Sequence, residues 1–208
     1  PVAYGAWETV VTNLARGLVA KGYTNVTLFA TKQARIPGVT TVGFLDQPLG
    51  IEPRPGARAY ELEHARQSIQ HGRTLDILHN HFNYSPLLFS ADSIVPLVTT
   101  LHGSGVEAEA KAGYLLHRDR PYVSISDAER ALVPELNYVA TVYNAIDTSL
   151  FSCQSKQGEY LVQVGRIHPD KGVHHTIELA RLLKRPLYLA GPIPSDQRVY
   201  FETQIEPF

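Results

Sequence analysis

Apolar positions along the chain switch between two spacings. In "ETVVTNLARGLVAK" (8–21), Val11, Leu14, Leu18 and Val19 recur at the three-to-four-residue interval that lines one stripe of a helix, and Gly22 supplies the stop. The next run, "NVTLFA" (25–30), is short and apolar, as a buried strand is, and turn-rich sequence follows it. The alternation then repeats. A helix is predicted over 57–72, with strands over 75–81 ("LDILHNH"), 95–103 ("VPLVTTLHG"), 122–126 ("YVSIS") and 139–144 ("VATVYN"). Helical stretches near 105–117 and 126–133 separate the later strands. Strand–helix–strand alternation of this kind predicts an α/β fold, with a parallel sheet covered by helices on both faces.

After Asp147 the pattern loosens into "TSLFSCQSKQGE", polar enough to be a linker. It restarts as strand 160–165 ("YLVQVG"), helix 173–184, strand 186–191 ("PLYLAG") and a helical segment from about 196. The expected organisation is one nearly full α/β domain over 1–152 and the opening of a second over 153–208.

Composition narrows the function classes. Of the 208 residues, 44% are apolar and 19% charged, ordinary for a chain with a real core. Lys plus Arg number 19 against 20 Asp plus Glu, so the basic surplus of a sequence-independent nucleic-acid binder is missing. The single cysteine, Cys153, rules out an internal disulfide framework and a thiolate metal cluster. No run approaches the roughly 20 apolar residues of a membrane span, and "PVAYGAWETV" lacks the cationic and apolar regions of a signal peptide. A cytoplasmic protein is expected.

The stretch with the clearest candidate chemistry is "VGRIHPDKG" (164–172), the turn between the first strand and first helix of the second domain. Open α/β sheets bind ligands at the carboxyl ends of their strands. There Gly165 permits a tight turn, and a helix starting near Gly172 presents unpaired N–H groups. Arg166 offers a planar fork and Lys171 a compact charge, two complementary ways of holding phosphate oxygens. Taken alone, the stretch reads equally well as a solvated turn with two surface cations.

Several stretches in order change that balance. "YGAWETVVTNLARGLVAKGYTNVTLFA" resembles the glycine loop, first helix and second strand of retaining glycosyltransferases of family 4 (glycosyl transferases group 1). "DILHNH", "TTLHG", "SISDAERA" and "VYNAIDTSLF" resemble the successive strand ends of that family's first domain, and "VGRIHPDKG" with "LYLAGPI" its second-domain opening. The resemblance implies the GT-B fold, two Rossmann-like domains facing a cleft that holds a nucleotide-sugar. It further implies a metal-independent hexosyltransferase that moves a sugar from a nucleoside-diphosphate donor to an acceptor with retention of configuration. The implied acceptor is a saccharide, a lipid-linked or a small molecule, with scope for a peripheral membrane contact, and no cofactor or nucleic acid is needed.

By the same resemblance, Arg166 and Lys171 hold the donor diphosphate and stabilise the departing charge. That charge develops in the transition state, so preplaced cations speed the reaction and replace a divalent ion. No Asp-x-Asp metal motif occurs in the chain. His102 matches the active-site histidine that contacts the transferred sugar. Gly5, Ala6 and Gly165 line the donor site, and His81 borders the acceptor. The pair His79/His81 would share one strand face, but no third metal ligand accompanies it, and His79 is expected to be structural. Ser126 is expected to cap the helix beginning at Asp127, with Ser124 at the end of the same strand, and Asn144 to stabilise a turn. Two positions depart from the family pattern. Ala6 replaces the second glycine of the loop, where a methyl would crowd the donor. Ala145 replaces another glycine, and would cost about 1 kcal/mol if φ there were positive.

Rival readings are a nucleotide-sugar epimerase of the same fold, a dinucleotide-dependent oxidoreductase and a non-catalytic nucleotide-sugar-binding module. The oxidoreductase needs a G-x-G-x-x-G run that the chain lacks. The resemblance also implies a first strand before Pro1 and further second-domain strands carrying a Glu-x7-Glu segment. The 208-residue chain is therefore expected to be inactive alone, with missing segments or a second polypeptide completing its sheets.

Overall fold

In the structure, a computed structural model, residues 5–49, 55–103, 107–153, 156 and 158–208 are described. The chain divides into two compact units, Pro1–Thr148 and Ser149–Phe208.

The first unit opens with helix α1 (Ala6–Ala20), then strands β1 (Thr27–Ala30) and β2 (Thr40–Gly43), which pair in parallel with Thr27 opposite Thr40. Helix α2 (Ala57–His71) leads to β3 (Leu78–Asn80), and a run of 3-10 turns (Ser85–Asp92) leads to β4 (Leu97–Thr100). Helix α3 (Ala108–Leu116), β5 (Tyr122–Ser124), the short α4 (Asp127–Arg130) and β6 (Tyr138–Thr141) complete it. β3, β4, β5 and β6 form one four-stranded parallel sheet in chain order. The fold is thus mixed α/β with parallel sheets, as the alternating periods predict.

Two segments differ from expectation. β2 falls in sequence read as turns, because a four-residue strand is defined by its ladder with β1 more than by its own apolar content. Each strand of the four-stranded sheet is also shorter than its apolar run. The outer residues of the runs extend beyond the strand bounds: Leu101, after β4, is buried in the core while its N–H donates to the Val123 carbonyl of β5 at 2.9 Å. Positions 105 and 106 of the predicted third helix lie outside the described residues.

The core explains why the sheet sits where it does. Ile69 of α2, Leu78 of β3, Leu97 of β4, Tyr122 of β5, and Ala110 and Tyr114 of α3 are all buried in one cluster with Leu87, Leu101 and Val133. Each fully buried side chain of this size contributes about 1.5–3 kcal/mol. Tyr122 keeps its hydroxyl satisfied by donating to the carbonyls of Tyr114 and His117 (3.3 and 3.2 Å).

The second unit is smaller. β7 (Leu161–Val164) and β8 (Leu187–Ala190) pair in parallel, joined through α5 (Val173–Leu183), with α6 (Arg198–Gln204) following. Its core is Ile167, Val173, Ile177 and Ile205, with Leu187 and Leu189 packed against them. Both strands alternate strictly, so Val162, Val164 and Tyr188 lie on an exposed face.

Candidate functional site

Because β3 to β6 all run parallel, the segments leaving their carboxyl ends emerge at one edge of the sheet. His81 directly follows β3, and His102 lies just beyond β4. β3 and β4 are neighbours in register, with Asn80 opposite Thr99, which brings the two imidazoles together. His81 Nδ1 lies 3.0 Å from His102 Nε2. His79, two residues back on the same strand face, stacks obliquely on His81 with 4.1 Å between ring centres, and its Nε2 contacts the Thr100 hydroxyl at 2.8 Å. Trp7, in the first turn of α1, stacks on His102 at 5.6 Å and 25°. The result is a row of four rings: His79, His81, His102, Trp7.

Partial loss of water governs the charge of the three histidines, of which His81 and His102 are part-buried and His79 keeps an exposed side. The loss of water around its ring pushes the His81 pKa down to about 3, and His79 and His102 add repulsion. His79 is lowered first by desolvation and then by His102, and His102 is lowered by desolvation. All three are neutral at pH 7. His81 Nε2 is buried and has no hydrogen-bond partner. Among the described residues, no group of three or more His, Cys, Asp or Glu side chains is arranged to hold a metal ion.

Glu129 frames the edge from the other side. This carboxylate is buried, only 6% exposed. Its Oε1 accepts from the Gly103 N–H, and its Oε2 accepts from the Ile125 N–H at 2.8 Å. One side chain thereby ties the segment after β4 to the segment after β5. Ser126 caps α4 as expected, its hydroxyl accepting from the Glu129 N–H at 3.0 Å. Ser124 is buried in the sheet, its hydroxyl 2.9 Å from that of Thr141, and Asn144 is exposed.

Gly5 precedes α1 with φ −179°, an extended conformation open to any residue, and its carbonyl accepts from the Thr9 N–H (2.9 Å) and hydroxyl (2.8 Å). Ala6 opens the helix with its methyl exposed. Alanine is the best helix former, so it costs the backbone nothing there. Among the described residues, Asn83 and Lys184 are the non-glycines with positive φ. Ala145 is not one of them, so the strain considered for it does not arise.

In the second unit, residues 165–172 form a built turn at the carboxyl end of β7. The Gly165 N–H donates to the Ala190 carbonyl and the Ile167 N–H to the Pro192 carbonyl, both at 2.9 Å. Ile167 is buried and pins the turn to the core. Gly191 is required: a Cβ there would lie 1.8 Å from the Gly165 carbonyl oxygen. Gly172, at φ 63°, adopts the left-handed conformation and opens α5. Gln163 Nε2 donates to the Lys171 carbonyl at 2.8 Å and closes the turn.

The turn brings both predicted cations to one carboxylate. Arg166 Nη2 lies 3.5 Å and Lys171 Nζ 4.0 Å from Asp170 Oδ2, while His168 Nδ1 is 2.6 Å from Oδ1. Both cations remain substantially open to solvent, with 37% and 48% of their side chains exposed. The Arg166 Nε is nonetheless buried and unpartnered.

Two participants escaped the sequence reading, Trp7 and Glu129. Trp7 is the chain's only tryptophan and directly follows Gly5-Ala6. Glu129 stands three residues after Ser126, the spacing of a capping box, a local signal that can mark a helix start but carries nothing of a long-range role.

A family model described as Glycosyltransferase Family 4 matches residues 7–150, which include Trp7, His79, His81, His102 and Glu129. Gly5, Ala6 and the turn 165–172 lie outside the matched stretch. No curated protein matches the chain.

Proposed function

The chain belongs to glycosyltransferase family 4, and from that premise we propose that it transfers a hexosyl group from a nucleoside-diphosphate sugar to an acceptor, with retention of configuration and without a divalent metal. The observation that carries the reading is the turn 165–172. It presents Arg166 and Lys171 together, at the carboxyl end of a parallel strand and beside the first turn of α5. That setting suits an anion with several oxygens. The half-exposed Asp170 is the only acidic residue of the turn, so an incoming diphosphate competes with one carboxylate for both cations.

The chemistry asks for this charge. Departure of a nucleoside diphosphate leaves negative charge on its bridging oxygen, and fixed cations stabilise that charge more than they stabilise the bound donor. In the first unit, His102 is neutral at pH 7 and part-exposed, fit to hydrogen-bond a sugar hydroxyl. Among the described residues, no helix is long and apolar enough to cross a membrane.

A thermal-shift panel of UDP-, GDP- and ADP-sugars in excess EDTA tests the proposal. A ligand that binds only the native state raises the melting temperature. One nucleotide class should stabilise the chain with EDTA present, and the Arg166→Ala/Lys171→Ala double variant should lose that shift. Stabilisation that appears only when Mg²⁺ or Mn²⁺ is added, or an undiminished shift in the double variant, would refute it.

A further inference from the structure

We infer that His81 is a positioning residue: through its hydrogen bond it fixes His102 as the Nδ1–H tautomer, so that the histidine at the sheet edge faces its ligand as a donor. The inference rests on the reading of His102 as the sugar-facing group. The family match says nothing of this pairing, which follows from the geometry.

Two ring nitrogens 3.0 Å apart, His81 Nδ1 and His102 Nε2, share one proton: one donates and the other accepts. With both rings neutral at pH 7, only two arrangements remain. If His102 Nε2 donated, His81 Nδ1 would accept and the proton of His81 would sit on its Nε2. That atom is buried without a partner, and an orphaned buried N–H is the rarer of the two defects in folded proteins. If His81 Nδ1 donates, the buried Nε2 is a bare lone pair on a ring lying against His79. His102 Nε2 then accepts, and the single proton of His102 resides on Nδ1.

The second arrangement has a functional consequence. His102 is clamped on one face by Trp7 and at Nε2 by His81, so Nδ1–H is its remaining polar group. A neutral imidazole presenting N–H can donate to a sugar hydroxyl, and it cannot serve as a base through that atom. His81, with Nδ1 engaged and Nε2 enclosed, then acts through His102 and has no free atom for the acceptor.

Long-range ¹⁵N–¹H correlation of the histidine rings, at pH 7 and without ligand, is the test. His102 and His81 should both show the Nδ1–H pattern in the unmodified chain. In His81→Phe, which keeps a ring but no nitrogen, His102 should revert mainly to the Nε2–H tautomer that free histidine prefers. In His81→Asn, whose amide can donate from near the Nδ1 position, the Nδ1–H pattern should return. An Nε2–H pattern for His102 in the unmodified chain overturns the inference, and that measurement does not depend on either variant folding. An unchanged His102 tautomer in folded His81→Phe overturns it too. The substrate reading fails separately, as an absence of any nucleotide-sugar shift in the melting panel while the tautomers stand as stated.

Discussion

Acidification should weaken the first unit through the same histidine row, by an amount that follows from His81. Its imidazole titrates near 6.5 in the unfolded chain and at about 3 in the folded one, first because burial strips its water and then because His79 and His102 repel the charge. Between those two values the unfolded chain holds more protons, so unfolding free energy rises with pH across that window. The contribution is complete above about pH 6.5 and is lost progressively as pH falls toward 3. At pH 5 the unfolded imidazole is charged and the folded one is not. The gap of about 1.5 pH units, at 1.36 kcal/mol per unit, is worth about 2 kcal/mol relative to pH 7. His79 and His102 are shifted the same way and add to it. The assay is urea unfolding at pH 7 and pH 5, followed by the emission of Trp7, the only tryptophan. His81→Asn removes the titrating group, so its loss of stability on acidification should be smaller than that of the unmodified chain by about 2 kcal/mol. Titrating groups that do not touch His81 cancel in that difference. Equal losses would refute the argument, because they would mean that His81 is charged or solvated in the folded state.

Replacing Arg166 or Lys171 with Ala should weaken nucleoside-diphosphate binding by about 1.5–3 kcal/mol each, the scale of charge-assisted hydrogen bonds, and calorimetry with UDP, GDP and ADP reads it directly. Asp170→Asn should do the opposite: releasing both cations from their shared carboxylate should tighten diphosphate binding by up to about fivefold, the worth of an exposed ion pair, and weaker binding would show that Asp170 orients the cations more than it competes for them. Glu129→Ala leaves the Gly103 and Ile125 N–H groups without their acceptor and should cost about 2–4 kcal/mol in chemical denaturation, whereas a loss below about 0.5 kcal/mol would mean that water replaces the carboxylate freely.

Periodicity alone determined most of the secondary structure, because helices such as α5 and buried strands such as β4 carry their packing face in their own residue spacing, whereas in α1 the spacing located the helix but Leu14 of its apolar stripe is exposed and Ala15 is buried. The same local information marked Ser126 as a cap, and marked Arg166 and Lys171 as cations on a turn, since caps and turns involve residues only a few positions apart. β2 was not legible, because its ladder partner β1 lies outside any local window and its four residues are only partly buried. The site shows the limit most clearly. His81 and His102 could be picked out singly, but their contact spans 21 residues of chain and exists because β3 and β4 are neighbours in register. Trp7 reaches His102 from the first helix, and Glu129 reaches Gly103 and Ile125 from the start of α4. Which nitrogen carries a proton and which carboxylate ties two segments together depend on burial and on atoms a few ångströms away in space, and neither is written in the spacing of residues along the chain.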